Sequence, residues 1–221
     1  MKKLDKKIEF RIAADGSSAS GKTTGGKLIA KKFKMKFLSS GALYRFCALR
    51  ILNNKKKYDK KFINKIVREI SFSRLNNKKL YGPEVTNLSS IIAKKPFVRK
   101  ALMNFQKNFI EKSKLLVIEG RDIGSKIMKN ADLKLFFTCS AKEKAKRRFR
   151  EFQALNKKIT LKQVEKALNL RDKVDRKRKI SPLIKVKNAV LVDTSKITIK
   201  QMETKLVNLV LKKIKNKYGN L

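Results

Sequence analysis

The sequence predicts an α/β fold of three layers, a mainly parallel central sheet with helices on both faces. Three observations predict it. Short apolar runs alternate with longer amphipathic stretches, the order of strand, crossover helix, strand. The first run leads through a loop of small residues straight into a helix. Three later helices announce their starts with capping boxes, at Ser140–Glu143, Thr160–Gln163 and Thr198–Gln201. They bound helices at about 140–157, 160–178 and 198–216.

In chain order, "IEFRIAAD" at residues 8–15 is the first strand, with Ile8, Phe10 and Ile12 alternating with Glu9 and Arg11. A fully buried parallel strand is apolar throughout, so the two charges are unexpected. Residues 21–34 form a helix with Leu28, Ile29 and Phe33 on one side. Gly25 and Gly26 weaken it by roughly 1 kcal/mol each relative to alanine. "KFL" at 36–38 is a short strand, and an amphipathic helix runs from Gly41 to Leu52. "SFSRLNNKKLYG" suggests a hairpin around Asn76-Asn77. Helices follow from Glu84 and from Phe97, with Pro96 at the break.

Composition narrows the function. The 221 residues carry 59 Lys+Arg against 17 Asp+Glu, a net charge of +42. That charge favours anionic partners. The lysines are spread over most helices and loops, and no basic tail stands apart, so no dedicated nucleic-acid partner is expected. With no histidine, His-based acid/base chemistry and Ser-His-Asp triads are excluded. Cys47 and Cys139 form no CxxC pair and suit reduced core positions. No apolar run approaches the ~20 residues of a membrane span. The lysine-rich start is interrupted by Asp5, Glu9 and Arg11, unlike a signal peptide. A cytoplasmic monomer without membrane contact is the expectation.

The loop after the first strand carries the chemistry. Gly16, Ser17, Ser18, Ala19, Ser20, Gly21, Lys22 and Thr23 match G-x-x-x-x-G-K-[ST]. Small residues let successive backbone N–H groups turn inward onto phosphate oxygens, and the helix N-terminus adds donors and partial positive charge. Lys22 can reach the β and γ phosphates. The hydroxyl of Thr23 or Thr24 can meet Mg²⁺. In this strand–loop–helix context the motif is a P-loop, and it holds a nucleoside triphosphate. It does not name the acceptor.

Two Arg–Asp groups bear on the acceptor. Arg171, Asp175 and Arg178 fall at i, i+4 and i+7, one face of a helix. The arginines can clamp phosphate bidentately and the carboxylate can hold a ribose hydroxyl. Arg121 and Asp122 follow the apolar run "LLVI", so a strand end delivers them beside the P-loop. A carboxylate there can accept from an amino group such as cytosine N4. Each pair alone could equally be a surface salt bridge worth ~0–1 kcal/mol. Arg147 and Arg148 could join this charge or be a solvated face. A basic P-loop nucleic-acid-binding protein, a non-catalytic nucleotide-binding module and a kinase for another monophosphate stay open at this point.

"SGALYR" after a P-loop unit resembles the bacterial cytidylate kinase family. "LLVIEGRDIGSKIMKNADLKLFFTCSAKEKAKRR" resembles its central stretch, "LRDKVDRKRKISPL" its lid, and "NAVLVDTSKITIKQM" its closing strand and helix. "EVTNLSSIIAKKPFVRKAL" is similar to its inserted substrate domain. The resemblance spans nearly the whole chain. It implies transfer of the γ-phosphate of Mg-ATP to CMP or dCMP. It implies a core at 1–57 and 114–221 with a lid near 156–183, and an inserted monophosphate-binding domain at 58–113. It places ATP on residues 16–24, with Lys22, Arg171 and Arg178 catalytic. It assigns the acceptor to Ser40, Arg45, Ser90, Arg99, Arg121, Asp122, Arg171, Asp175 and Arg178. The chain departs from the family pattern at Ser17, Ala19, Thr23, Gly25-Gly26 and Ser39, where the family usually has proline, glycine, glycine, larger helix formers and aspartate.

Overall fold

The computed structural model describes residues 8–54, 58–154 and 159–219. Its strands are β1 (Phe10–Gly16), β2 (Lys36–Ser39), β3 (Leu115–Gly120), β4 (Leu133–Thr138) and β5 (Val190–Asp193). They form one sheet in the order β2-β3-β1-β4-β5. β1 runs parallel to both β3 and β4, and β4 parallel to β5. The chain leaves β1 toward one edge and later returns to the other. β1 is therefore the switch point, where the carboxyl ends of the strands open a ligand crevice. The P-loop leaves β1 at that end.

Two compact units are divided after Leu38 and after Glu111. The larger holds most of the sheet. One face is covered by α1 (Lys22–Lys32) and α9 (Ile199–Tyr218). α9 brings Met202, Leu206, Val210 and Ile214, one residue per turn, onto Phe10, Ile12, Leu133, Leu135 and Phe137. The other face, with Ala13, Leu116, Ile118 and Phe136, is buried too. Continuous apolar strands follow from this two-sided cover.

The charges of β1 sit where the sheet narrows. β4 joins β1 only from Ile12 onward. Ahead of it, Asp132 Oδ2 accepts the Arg11 N–H at 2.7 Å, in place of a strand neighbour. The Arg11 guanidinium meets Glu9 at 2.8 Å and stays partly in solvent. So the charged positions lie at the amino end of the strand, away from the crevice.

The smaller unit, Ser39–Glu111, is helical. α2 (Ser40–Asn54) packs on α5 (Pro83–Ile92), and α3 (Lys60–Arg68) on α6 (Pro96–Glu111). The hairpin expected at Asn76-Asn77 does not form. Ser71 caps a short α4 (Phe72–Leu75), and Asn77 caps a 3₁₀ turn over Lys78–Tyr81. Side-chain caps outcompete a strand turn here because Leu75 and Leu80 both bury their side chains from helical turns. Ser39 Oγ accepts the Ala42 N–H at 3.2 Å. The hydroxyl thus serves α2 as an aspartate would at the same position. The Cys47 thiol is pushed up to about 12 by burial, which makes it inert at neutral pH.

Elsewhere the helices start and stop close to expectation. α7 (Ala141–Gln153) has Ser140 accepting from the Glu143 N–H, without the reciprocal half of a box. Residues 155–158, in the expected end of this helix, lie outside the described residues. Thr160 and Thr198 carry complete boxes on α8 (Leu161–Lys177) and α9. α8 ends one residue short of expectation. Arg178 is its C-cap with extended backbone, φ −65° and ψ 138°. The Arg178 N–H still bonds the Val174 carbonyl, so Arg171, Asp175 and Arg178 keep their i, i+4 and i+7 positions and the chain leaves the helix just after the third.

Gly25 and Gly26 have a packing reason. A Cβ on Gly25 would stand 2.7 and 2.8 Å from the Phe137 ring, and one on Gly26 2.9 Å from Phe37. The absent methyls let α1 lie close on the sheet. Gly25→Ala should gain ~1 kcal/mol of helix propensity and lose ~1–3 kcal/mol to overpacking. A net loss in urea unfolding is expected. A variant more stable than its parent would contradict the close approach.

Candidate active site

The P-loop is shaped by its own residues. Gly16 passes so close to the Phe137 carbonyl that a side chain has no room. Ser20 Oγ donates to the Ser17 carbonyl at 3.0 Å, and Lys22 Nζ to the same carbonyl at 3.1 Å. Gly21 takes φ 82° at the N-cap of α1, which glycine does without strain. Ala19 takes φ 54°, a left-handed conformation that an L side chain adopts at a cost of ~1–2 kcal/mol. The family's glycine would sit there freely. Thr194, at the end of β5, donates its hydroxyl to the Ser20 carbonyl at 3.0 Å.

Carboxylates surround this loop. Glu119, at the end of β3, faces Lys22 Nζ at 3.7 Å. Asp15 ends β1, buried, and accepts the N–H groups of Ile123 and Gly124 at 2.8 and 2.7 Å. It thereby ties the base of the P-loop to the π-turn Ile123–Ile127 that follows Asp122. Such turns recur at functional sites. Asp172 Oδ1 accepts the Ser18 N–H at 3.1 Å.

Arg121 joins the groups. Its Nε donates to Asp175 Oδ2 and its NH2 to Ser18 Oγ, both at 2.8 Å. Arg178 reaches Asp175 at 3.5 Å and Asp122 at 3.8 Å, and its Nε donates to the Ser181 carbonyl. Burial alone would push Asp175 up. The guanidiniums of Arg121, Arg171 and Arg178 outweigh it and hold the carboxyl below its ordinary range. Lys22, Arg121, Asp122, Arg171, Asp175 and Arg178 are thus assembled around the loop at residues 16–24. Thr23 is half-buried and Thr24 exposed in the first turn of α1.

The other named residues lie together in the smaller unit. Ser40 and Arg45 are buried on α2, Ser90 sits on α5, and Arg99 is buried on α6. The Arg45 guanidinium lies over the Tyr81 ring at 5.2 Å, and Arg99 over Tyr44 at 5.7 Å. Aromatic faces orient a guanidinium without cancelling its charge. Ser90 Oγ donates to the Thr86 carbonyl at 3.3 Å.

Sequence reasoning assigned no role to Asp15, Glu119, Lys144, Asp172 or Thr194. The acids had a signal: each stands next to a named site residue or ends an apolar strand. Lys144 and Thr194 had none. Arg147 donates to the Thr194 hydroxyl and carbonyl at 2.9 and 2.7 Å, close to Gly21. Arg148 pairs with Glu151 and lies on the Phe152 ring, a structural role.

The family model described as cytidylate kinase matches residues 12–215. A cytidylate kinase from Thermosipho africanus (strain TCF52B) is 37 % identical over 223 residues, covering 94 % of this chain and 97 % of that protein. One from Fusobacterium nucleatum is 36 % identical over 214 residues, covering 92 % and 96 %. Among solved structures, an uncharacterized protein from Eubacterium ventriosum ATCC 27560 aligns with a TM-score of 0.55 at 12 % identity, covering 92 % of this chain and 99 % of that one. It shares the fold.

Asp15 generates a pH prediction. Burial pushes its carboxyl from 3.8 up to about 6 despite the two N–H bonds. The native state then binds this proton more tightly than the unfolded chain, so its ionisation erodes stability as pH rises from about 4 to 6. Asp15→Asn removes the titration. Relative to that variant, the parent should lose on the order of 1–3 kcal/mol over this range, read from urea midpoints at several pH values. A gap that stays flat or reverses sign would contradict the burial.

Proposed function

The chain belongs to the cytidylate kinase family, and from that membership we infer that it transfers the γ-phosphate of Mg-ATP to CMP or dCMP, giving ADP and CDP or dCDP. One observation carries the reading to this chain's own residues: Arg121 bridges the P-loop hydroxyl of Ser18 and the lid carboxylate Asp175. That bridge links an ATP loop to the group that meets the acceptor.

ATP lies on residues 16–24, with its phosphates on the loop N–H groups and Lys22. The acceptor's phosphate is held by Arg45, Arg99 and Arg121, and its base and ribose by Ser40, Ser90, Asp122 and Asp175. Residues 58–113 act as the monophosphate-binding domain and 156–183 as the lid. An acceptor phosphate oxygen attacks the γ-phosphorus in line. It is already anionic, so no general base is required, and a chain without histidine can do this chemistry. Catalysis is positioning and charge stabilisation by Lys22, Arg171 and Arg178. Closure of the lid arginines excludes water and limits ATP hydrolysis.

The site suits Mg²⁺ that arrives with ATP. No cluster of three carboxylate, Cys or His ligands occurs among the described residues, whereas Thr23 and Thr24 offer hydroxyl oxygens at the start of α1. That is the donor set for an ion held mainly by substrate phosphates. Bound there, Mg²⁺ neutralises charge on the transferring phosphoryl group. Among the described residues no helix is long and apolar enough to cross a membrane. A cytoplasmic monomer acting on free nucleotides fits this chemistry.

The test is ADP release from Mg-ATP with CMP, dCMP, UMP, AMP, GMP and dTMP. Turnover on CMP and dCMP should exceed UMP and be near zero on the others. Asp122→Ala should lower kcat/KM for CMP by roughly 10- to 100-fold, the worth of one hydrogen bond to a charged group. Strong activity on another base would reject the assignment of the base pocket.

A further inference from the structure

α8 carries its buried residues Val164, Leu168, Asp172 and Asp175 along one face. The apolar pair packs with Phe152 of α7. One turn further the same face turns polar. Asp172 Oδ2 takes the Lys144 ammonium at 2.5 Å, while Oδ1 accepts the Ser18 N–H at 3.1 Å. Both side chains of the pair are 11 % exposed. Lys144 stands in the first turn and a half of α7, which starts directly after β4. β4 lies beside β1, so Lys144 rises from the same end of the sheet as the P-loop.

A buried ion pair is costly to desolvate and is weak evidence for stability. Here its geometry has another outcome. The carboxylate is shared between one cation and one loop N–H, so the lysine on Oδ2 fixes the carboxylate whose Oδ1 holds Ser18. The Ser18 hydroxyl meanwhile accepts from Arg121. The loop residue is gripped from both sides, and α8 is pinned to it just beyond Arg171.

We propose that Lys144 and Asp172 are positioning residues for ATP, which set the backbone of the phosphate loop at Ser18 from two helices outside it. Neither touches a transferring group; both act through Ser18. The inference rests on the assignment of ATP to residues 16–24. Asp172 bonds Ser18 directly and reaches Arg121 only through the Ser18 hydroxyl, so the effect on ATP should exceed the effect on the acceptor.

Steady-state kinetics on the full chain tests this, together with titration of a fluorescent ATP analogue in the absence of CMP. Lys144→Met should raise KM for ATP and the Kd of the analogue by roughly tenfold or more, the scale of a small misplacement of a binding group. KM for CMP should stay within about twofold. Asp172→Asn retains an acceptor for the Ser18 N–H and should recover part of the loss seen in Asp172→Ala. Lys144→Met leaves a buried carboxylate without its cation; should that variant not fold, Lys144→Met/Asp172→Asn carries the test. Unchanged affinity for ATP with only a lower melting point would overturn the proposal, as would equal rises in both KM values. Lys22→Ala probes the underlying assignment. If it impairs ATP binding while Lys144→Met does not, the positioning role alone fails. If it leaves ATP binding intact, the loop is not the ATP site, and the proposal falls with it.

Discussion

A mostly buried guanidinium organises the larger unit. The Arg121 side chain is 15 % exposed, and a cation taken that far from water needs carboxylate and hydroxyl partners with good geometry. The chain has few acids to offer, 17 against 59 bases. Five of them are buried among the described residues, Asp15, Glu119, Asp122, Asp172 and Asp175. Asp15, Glu119 and Asp172 lie beside the P-loop, Asp175 on Arg121, and Asp122 on Arg178. The electrostatics of this very basic protein is therefore uneven by construction. Lysines crowd the solvated faces, and the acids gather among the cations around the P-loop.

That distribution reconciles two demands. Lys22, Arg121, Arg171 and Arg178 would repel one another if brought together alone, at a cost that grows as water leaves. Interleaved carboxylates offset the repulsion. The same carboxylates tie separate segments together: Asp15 joins the end of β1 to the turn after Asp122, Asp172 joins α8 to Ser18, and Asp175 joins α8 to Arg121. In the smaller unit, Arg45 and Arg99 are steadied on tyrosine rings. The two means suit the same end, a cation oriented for an anionic ligand.

Much of this was legible in the residues. The P-loop was readable because its glycines and lysine stand at fixed offsets between a strand and a helix. Strand order was not, since alternation of strand and helix predicts a parallel sheet but not which neighbours β1 takes. α9 was readable from its capping box, and its four-residue apolar repeat shows its purpose only against the sheet. The Asn76-Asn77 segment misled because asparagine favours turns and helix caps alike, and only the burial of Leu75 and Leu80 decides between them. The weight of Gly25 was hidden because helix propensity is local, while the ring of Phe137 arrives from more than a hundred residues away. Arg178 fell one residue beyond its helix, a boundary that pattern alone does not fix. Arg121 and Asp122 were placed by their strand. The bonds of Arg121 to Ser18 and Asp175 needed the fold.

A double-mutant cycle of Arg121→Ala and Asp175→Ala, read as kcat/KM for CMP at saturating Mg-ATP, tests the central claim most directly. If Arg121 and Asp175 work as one unit that links the P-loop to the lid, the two losses will not multiply. The double variant should then be little worse than the poorer single one, with a coupling of about 1–3 kcal/mol. Losses that multiply in full would mean that the two residues serve independent contacts, and the linkage described here would be wrong.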